Sequence, residues 1–441
     1  MGADETTVDP RSIYRLDGKT LGPGGYADVR RAWHRESNEE VALKRPLAVP
    51  QAKERIRREI EAQKLLHHPN IMPIRDHDPG FEWYAMPVAE GSLSKLQKDL
   101  DEEDLASMLM NLAEALDVAH KRQLIHRDIS PNNILALPES SSKKRRWVVA
   151  DWGMVMRPYS PTSSPLTRTN QEIGTDGYAA PELSENPREA TPAADVYSLG
   201  RVAAWFLTGQ KPRPGRRLLP DDHYLHWRPF ILECTQEELT RRVQDMTALR
   251  KMLQEVLGSR DEPIEEKAER IANDILLGKT SEIDTLVTLA TAYPNSHVIF
   301  FDNLAPLTTS LLSEWTRKNP ERASELAVLM ARHLRESPWE DRDPDYMGTP
   351  LSFIHTILRT LIEVRHVAFA QDAAPSFFAA EAHCGHREQT RRTIEWLDEL
   401  SGPAERVISR ALTGAGPTVL AYYRAFDWTP RSAVLATLIA S

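Results

Sequence analysis

The sequence predicts an α+β protein, in which a strand-rich N-terminal part is followed by a helical part and then by an all-α C-terminal part. Short apolar runs bounded by glycine and proline lie within residues 11–89, as is typical of strands. Between residues 105 and 123, small and large apolar side chains recur at helical spacing. After residue 263, strand patterns disappear and helical patterns follow one another to the end of the chain.

Bulk properties exclude several classes of protein. A length of 441 residues allows two or three domains, and the net charge of -9 argues against a nucleic-acid-binding surface spread over the whole molecule. Cys234 and Cys384 are the only cysteines, which gives no disulfide framework and fits the reducing cytoplasm. No run of about 18 apolar residues occurs, so we expect no membrane-spanning helix.

The strongest chemical signal lies between residues 126 and 153. Asp128 and Asn133 are five positions apart in a polar segment, and Asp151 opens the tripeptide Asp-Trp-Gly shortly after it. Transfer of a phosphoryl group from Mg-ATP requires a base beside the acceptor hydroxyl and oxygen ligands for Mg²⁺. These three residues supply both, so the sequence predicts a phosphotransferase.

This pattern resembles that of the eukaryotic-type protein kinases, and in particular of the serine/threonine kinases. His126-Arg127-Asp128 with Asn133 is similar to the kinase catalytic loop, and Asp151 is similar to the first residue of the kinase metal-binding motif. The resemblance implies a bilobal protein-kinase fold over residues 11–257. Its small β-rich lobe would span about residues 11–89 and its helical lobe about residues 90–257.

The resemblance also implies roles for individual residues and names ATP and Mg²⁺ as cofactors. Asp128 would accept the proton of the substrate hydroxyl, whereas Asn133 and Asp151 would hold Mg²⁺. Lys44, at the end of Val41-Ala42-Leu43-Lys44, would contact the phosphates and pair with Glu59 on the following helix. The residues expected around the nucleotide are Gly22, Gly24, Gly25, Val29, Ala42, Lys44, Glu59, Met86, Val88 and Ala89.

Residues 151–182 resemble a kinase activation segment that ends in Ala-Pro-Glu. We expect autophosphorylation at its hydroxyl groups, partly neutralised by Arg127. The candidate positions are Ser160, Thr162, Ser163, Ser164, Thr167, Thr169 and Thr175. Three further residues would be structural: Asp195 would hold the backbone of the catalytic loop, and Arg242 would pair with Glu182.

Two alternatives stay open. Ser130 occupies a position where serine/threonine kinases carry a lysine, so a cation that would stabilise the transferring phosphate is missing. This departure favours a pseudokinase scaffold, although Lys44, Asp128 and Asp151 are all present. A small-molecule phosphotransferase is the second alternative. The protein-substrate platform that residues 174–182 resemble argues against it.

Outside the kinase-like region, residues 1–10 are predicted to be a disordered tail and residues 258–263 a linker. Residues 264–441 are predicted to form an α-helical interaction or regulatory domain, either solenoid-like or an irregular bundle, that binds a protein partner. Helical patterns are predicted at 268–277, 282–292, 304–315, 323–334, 351–364, 389–400, 404–412 and 417–426. The protein would therefore act on protein substrates and receive its input through the helical half.

Overall fold

The computed structural model describes residues 8–23, 26–139, 145–155, 175–258, 262–336, 344–426 and 428–440. Contacts between Cα atoms divide the chain into two compact units, residues 1–260 and 261–441. The division falls inside the predicted linker 258–263. Within the described part of the chain, no helix is both long and apolar enough to cross a bilayer.

The first unit begins with a short helix, α1 (Pro10–Ile13), and a five-stranded antiparallel sheet. The strands are β1 (Tyr14–Pro23), β2 (Ala27–His34), β3 (Glu40–Pro46), β4 (Asp76–His77) and β5 (Tyr84–Met86). Their order in the sheet is β1-β2-β3-β5-β4. The strand β3 lies in the middle of the sheet, and all four residues from Val41 to Lys44 are buried. A central strand covered on both faces explains why this stretch is continuously apolar up to its lysine.

One helix, α2 (Ala52–Leu65), follows β3. Its buried face carries Ile56, Glu59, Ile60 and Gln63, spaced three or four residues apart as expected for one side of a helix. The sequence predicted this helix over residues 51–67, and the structure shortens it by one to two residues at each end. Because Glu59 lies on the buried face, its carboxylate points towards the sheet.

The remainder of the first unit is a helical core with a small three-stranded sheet. The strands are β6 (Gly91–Ser92), β7 (Ile134–Pro138) and β8 (Arg145–Val149), in the order β6-β7-β8. The helices are α3 (Leu93–Leu96), α4 (Glu102–Lys121), α5 (Glu182–Glu185), α6 (Pro192–Thr208), α7 (Arg228–Cys234) and α8 (Met246–Gly258). Of these, α4, α6 and α8 contribute most of the large apolar cluster.

The prediction of a disordered tail over residues 1–10 is wrong for residues 8–10. The backbone N–H of Val8 donates to Oδ1 of Asp78, and the backbone oxygen of Val8 accepts from Nε1 of Trp83, both at 2.7 Å. Asp9 caps α1 through a hydrogen bond from the N–H of Arg11. Residues 8–10 therefore belong to the folded unit, whereas residues 1–7 lie outside the described part of the chain.

Every regular element described in the second unit is helical. The α-helices are α9 (Ile264–Leu276), α10 (Ile283–Ala292), α11 (Thr309–Lys318), α12 (Pro320–Glu336), α13 (Gly348–Glu363), α14 (Val367–Cys384), α15 (Arg387–Glu399), α16 (Gly402–Gly414), α17 (Pro417–Arg424) and α18 (Ala433–Ala440). A π-helical segment, Val298–Leu304, precedes α11. Two of these helices, α14 and α18, were absent from the sequence prediction, and α11 begins five residues later than the pattern indicated.

The two cysteines are divided between the units. Cys234 ends α7 and is buried against α6, where an added Cβ at Gly200 would come within 2.6 Å of the Cys234 Cβ atom. Cys384 ends α14 in the second unit, and both are free thiols. Burial raises the pKa of Cys384 to about 12 and that of Cys234 well above its ordinary value.

Candidate active site

Lys44 lies at the centre of a buried ion-pair network. Its Nζ atom is 2.8 Å from Oε2 of Glu59 and 3.5 Å from Oδ1 of Asp151. Burial alone would lower the pKa of Lys44, but the carboxylates of Asp151 and Glu59 outweigh this effect and raise it to about 12. The ammonium group therefore stays charged, and the structure brings together three residues that are 15 to 107 positions apart.

The segment from His126 to Arg127 is held by one buried carboxylate. Asp195, near the start of α6, accepts hydrogen bonds at 2.9 Å from the backbone N–H groups of His126 and Arg127. A third partner is Nε2 of His120 on α4, 2.8 Å from Oδ2 of Asp195. Arg127 has a φ of 67°, a conformation that L-residues rarely adopt. The Asp195 contacts explain how this backbone is maintained.

Asp128 and Asn133 face each other across the loop. The Asn133 side-chain amide donates to the backbone oxygen of Asp128 at 2.7 Å and to Oδ2 at 3.1 Å. The other carboxylate oxygen, Oδ1, accepts a hydrogen bond of 2.8 Å from the hydroxyl of Thr175. Burial and the nearby charge of Asp151 raise the pKa of Asp128 above its ordinary value. Thr175, predicted as a phosphorylation candidate, thus has its hydroxyl engaged with Asp128.

Asp151 lies next to this pair in a left-handed conformation, with a φ of 64°. Burial alone would raise the pKa of Asp151. The positive charge of Lys44, together with other groups near Asp151, outweighs the effect of burial, so the pKa is lowered overall. Trp152 is fully buried and packs edge-to-face on His126, with ring centroids 4.7 Å apart. The larger aromatic ring therefore fits where the kinase motif usually has phenylalanine.

An apolar cluster lies beside the polar residues. Ala42 and Met86 are directly paired in the sheet and are buried in this cluster. Val29, Val88 and Ala89 pack against it and are partly exposed. All five were predicted to surround the nucleotide. Gly22 lies on β1 opposite Val29, whereas Gly24 and Gly25 fall outside the described residues.

One residue of the same cluster was missed from the sequence. Leu135, on β7, packs against the apolar cluster. The sequence offered a signal for this residue, because Ile134 and Leu135 form the apolar pair that follows the catalytic-loop pattern and closes the loop. Only one of the two faces this cluster: Ile134 is buried in the larger helical core.

The two predicted structural partners also come together. Both guanidinium NH groups of Arg242 donate to the carboxylate of Glu182, at 2.6 and 2.9 Å. The Arg242 side chain is fully buried. A two-point contact of this kind fixes the orientation of both groups.

Arg127 projects towards the start of the predicted activation segment. Its Nε and one NH₂ group donate to the backbone oxygen of Met154, and a further N–H donates to the oxygen of Pro187. Burial, together with the charge of Arg58, lowers the pKa of Arg127 to about 10. The candidate phosphorylation sites between Ser160 and Thr169 lie outside the described residues.

Ser130 is completely buried. Its Oγ atom has no hydrogen-bond partner among the residues that the structure describes. The backbone oxygen of Ser130 accepts from the N–H of Asn133, which helps to form the turn. The serine therefore belongs to the interior of the loop, and it supplies no positive charge.

The family of the chain follows from comparison with known proteins. A model of the protein kinase domain family matches residues 16–276, more than half of the chain. The chain therefore belongs to the protein kinase domain family. The match continues past the boundary between the two compact units and includes α9.

The curated relatives include serine/threonine kinases. Serine/threonine-protein kinase PknF of Mycobacterium tuberculosis is 35% identical over 207 residues, which cover 44% of this chain and 42% of that protein. Aurora kinase A-A of Xenopus laevis is 33% identical over 205 residues, covering 44% and 47%. Serine/threonine-protein kinase PknA of M. tuberculosis is 30% identical over 217 residues, covering 46% and 48%. The chain thus spans less than half the length of these relatives.

Proposed function

We propose that this protein transfers the γ-phosphate of Mg-ATP to serine or threonine hydroxyls of protein substrates. The observation that supports the proposal is the convergence of Asp128, Asn133 and Asp151 with the Lys44–Glu59 pair. In this family such a set binds the nucleotide and the acceptor hydroxyl in line. ATP as the donor and two unpaired cysteines fit a reaction in the cytoplasm.

The side chains present fit Mg²⁺. The amide nitrogen of Asn133 is used in its two hydrogen bonds to Asp128, so its amide oxygen is the atom that remains for a cation. The carboxylate of Asp151 supplies a second oxygen of the kind that this hard ion prefers. Mg²⁺, when bound, would neutralise negative charge on the transferring phosphate. Asn133 and Asp151 are therefore the proposed metal ligands.

Asp128 is the proposed residue at the acceptor. Its carboxylate is oriented by Thr175 on one oxygen and by Asn133 on the other. A serine or threonine hydroxyl that approaches this carboxylate would donate its proton to it as the oxygen attacks phosphorus. Lys44, held by Glu59, would meanwhile pair with phosphate oxygens of ATP. Autophosphorylation between Ser160 and Thr169, with Arg127 as the neutralising group, would regulate this step.

A scaffold with little turnover is the second candidate, and Ser130 favours it. A buried hydroxyl cannot replace a cation on the γ-phosphate, so transition-state stabilisation would be weaker by an amount that can reach about 3 kcal/mol for a single donor. Such a protein would still bind ATP through Lys44. The two candidate functions differ in the rate of phosphate transfer, whereas both predict that the protein binds ATP.

The decisive experiment is incubation of the purified chain with Mg-ATP, followed by site-resolved mass spectrometry. Asp128→Asn removes the proposed base while keeping the size of the side chain. Asp117→Asn is the matched control, because Asp117 lies on α4 and pairs with the exposed Lys121. Phosphate on serine or threonine that disappears in Asp128→Asn and persists in Asp117→Asn would support the kinase. ATP binding without transfer in the native chain would support the scaffold.

A further inference from the structure

A strongly basic segment, residues 211–217, follows α6 in the first unit. It reads Lys-Pro-Arg-Pro-Gly-Arg-Arg, so four of its seven side chains are basic in a chain whose net charge is -9. The side chains of Lys211, Arg213 and Arg216 are exposed. None of these three belongs to an ion pair among the described residues. Their charges are therefore available to a negatively charged partner.

Two of these arginines flank a tight turn, residues 213–216, which we call the basic turn. The N–H of Arg216 donates to the backbone oxygen of Arg213 at 3.2 Å. Pro214 and Gly215 lie between them, and Gly215 has a φ of +62°. Proline in the second place and a glycine of positive φ in the third are what a type II turn requires. The turn holds the Cα atoms of the two arginines less than about 7 Å apart, so their positive charges lie at neighbouring positions.

A buried arginine fixes the basic turn to the segment that carries Thr175. Arg201, on α6, is only 2% exposed. Its guanidinium group donates to the backbone oxygens of Arg213 and Arg216, each at 2.8 Å. The Nε atom of the same group donates to the backbone oxygen of Gly177 at 2.9 Å. One rigid, planar group therefore joins the turn to residue 177.

The basic turn is consequently close to the carboxylate that we propose as the base. Thr175, whose hydroxyl donates to Asp128, lies two residues before Gly177. An added Cβ at Gly177 would lie 2.2 Å from the backbone oxygen of Pro212, which directly precedes the turn. Summed along the chain and these contacts, the turn lies within roughly 25 Å of the Asp128 carboxylate. An extended peptide covers this distance in about seven residues.

The acidic residues nearby in sequence do not neutralise the basic turn. Asp176 is exposed and forms no ion pair within the part of the chain that the structure describes. Asp221 accepts the backbone N–H of His223 and so caps the short helix that follows it. Guanidinium groups at neighbouring positions repel each other. A carboxylate that binds between Arg213 and Arg216 would remove this repulsion and accept hydrogen bonds from both.

From this arrangement we propose that the basic turn selects protein substrates with acidic side chains within about seven residues of the acceptor hydroxyl. The proposal rests on the proposed function for the position of that hydroxyl beside Asp128. Arg213 and Arg216 would contact glutamate or aspartate side chains of the substrate, because carboxylates match guanidinium groups in charge and geometry. Arg201 acts through the turn and is a positioning residue.

Peptide binding to the full chain without ATP tests this selection independently of phosphate transfer. Fluorescence anisotropy would compare labelled serine peptides that carry glutamates before or after the serine with counterparts that carry glutamines there. We expect a glutamate peptide to bind at least about ten-fold more tightly than its glutamine counterpart, with a smaller difference at high salt. Equal affinities of the glutamate and glutamine peptides would overturn the proposal.

Reversal of charge locates the binding. Arg213→Glu/Arg216→Glu keeps both backbone oxygens that Arg201 holds, so the turn should persist. We expect this double variant to lose the preference for glutamate and to bind an arginine-containing peptide at least about ten-fold more tightly than the native chain does. A purely structural role of the two arginines would not reverse the preference. A retained preference for glutamate, or no gain for the arginine peptide, would overturn the proposal.

A matched control separates the turn from the net charge of the protein. Lys121→Glu/Lys251→Glu changes the net charge by the same amount on α4 and α8, where the two lysine side chains are 72% and 80% exposed. Neither lysine lies in the segments that contact Gly177 or Arg201. We expect this control to keep the native preference for glutamate. Equal effects of the two double variants would overturn the assignment to the basic turn.

Kinetics separate the selection of substrates from the proposed function. In an active chain, Arg213→Glu/Arg216→Glu should raise KM for a glutamate peptide at least about ten-fold, and by more than it lowers kcat. The turn would contact the substrate away from the phosphate that is transferred. Phosphate transfer without a preference for glutamate would retain the kinase and overturn the selection. Selective binding without transfer would retain the selection and favour the scaffold.

Discussion

The hydroxyl of Thr175 donates a 2.8 Å hydrogen bond to Oδ1 of Asp128, across 47 residues of sequence. This contact orients the carboxylate that we propose as the base. We expect Thr175→Ala to lower kcat at least about ten-fold, because the carboxylate then rotates away from its productive position. Thr175→Ser keeps the hydroxyl and should retain most of the activity. Steady-state phosphotransfer to a peptide measures both, and native kcat in Thr175→Ala would exclude the orienting role.

The buried lysine leads to a second prediction. Lys44→Met should abolish measurable phosphotransfer, because the phosphates lose their cation and the carboxylates of Glu59 and Asp151 lose the charge between them. The expected loss is at least about 100-fold in kcat/KM. Lys53→Met is the matched control, since Lys53 lies on α2 and pairs with Glu82 near the surface. Comparable losses in the two variants would contradict a specific role for Lys44.

Gly177, in the described part of the predicted activation segment, has no room for a side chain. It has a φ of +82°, and an added Cβ would lie 2.2 Å from the backbone oxygen of Pro212. Gly209 has a similar φ of +65°, but an added Cβ there meets no described atom within 4 Å. Gly209→Ala should cost about 1 kcal/mol of stability from backbone strain.

At Gly177, alanine adds a clash with rigid backbone to the same strain. We expect Gly177→Ala to cost about 3 kcal/mol or more in the free energy of unfolding. Urea unfolding followed by circular dichroism would measure both variants. A cost at Gly177 no larger than at Gly209 would show that the Pro212 segment moves aside without penalty.

The Arg242–Glu182 pair should contribute to the stability of the first unit. Arg242→Met leaves a largely buried carboxylate without its partner, which typically costs about 3 kcal/mol or more. Arg241→Met removes a neighbouring arginine whose partner, Glu238, is half exposed, and should change stability by less than about 1 kcal/mol. Thermal unfolding of the two variants gives the comparison. Equal shifts in Tm would mean that the buried Arg242–Glu182 pair contributes no more to stability than the Arg241–Glu238 pair does.

In the second unit, Glu381 makes stability depend on pH. It is fully buried on α14 and accepts hydrogen bonds from Thr393 at 2.7 Å and from Tyr423. Burial raises its pKa from 4.5 to about 7, although the hydrogen bonds from Tyr423 and Thr393 oppose the change. Cys384 and Tyr422 are the other titratable groups close to it. Between pH 4.5 and 7, the native state thus keeps a proton that the unfolded state has released.

The native state therefore loses stability as the pH rises from about 4.5 to 7, by an amount on the order of 3 kcal/mol. Glu381→Gln cannot ionise, so its stability relative to the native sequence should increase over this window. Hydrogen exchange of the α14 and α15 amides, compared between the two proteins at pH 5 and at pH 8, measures the difference. Glu395→Gln, at an exposed position of α15, is the control and should show a much smaller change.

The sequence predicted those parts of the candidate site whose residues are close together in the chain. Asp128, Asn133 and Asp151 fall within 24 positions, and their spacing alone carries the chemical pattern. The contact between Thr175 and Asp128 depends on how a separate segment folds back onto the loop. Ser130 was interpreted as a missing cation, but its complete burial could not be inferred, because burial depends on residues distant in sequence.

Two errors in the fold have similar causes. The helix α14 was missed because apolar residues such as Ala368 and Phe369 also occupy its less buried side. The sequence therefore shows no amphipathic contrast, although Ala370, Ala374 and Phe378 lie on one buried stripe. Pro375, inside this helix, is itself a signal against helix formation. Val8 was assigned to a disordered tail because its partners, Asp78 and Trp83, lie 70 or more positions away.

The distribution of the two cysteines offers a way to follow each unit separately. Cys234 belongs to the first unit and Cys384 to the second, and burial keeps both thiols protonated at neutral pH. Because only the thiolate reacts readily with alkylating reagents, each cysteine should become labelled when its own unit opens. A brief pulse of such a reagent during denaturation, followed by peptide mapping, would therefore give two independent opening curves from one unmodified chain. The two native cysteines thus report on the unfolding of the two units.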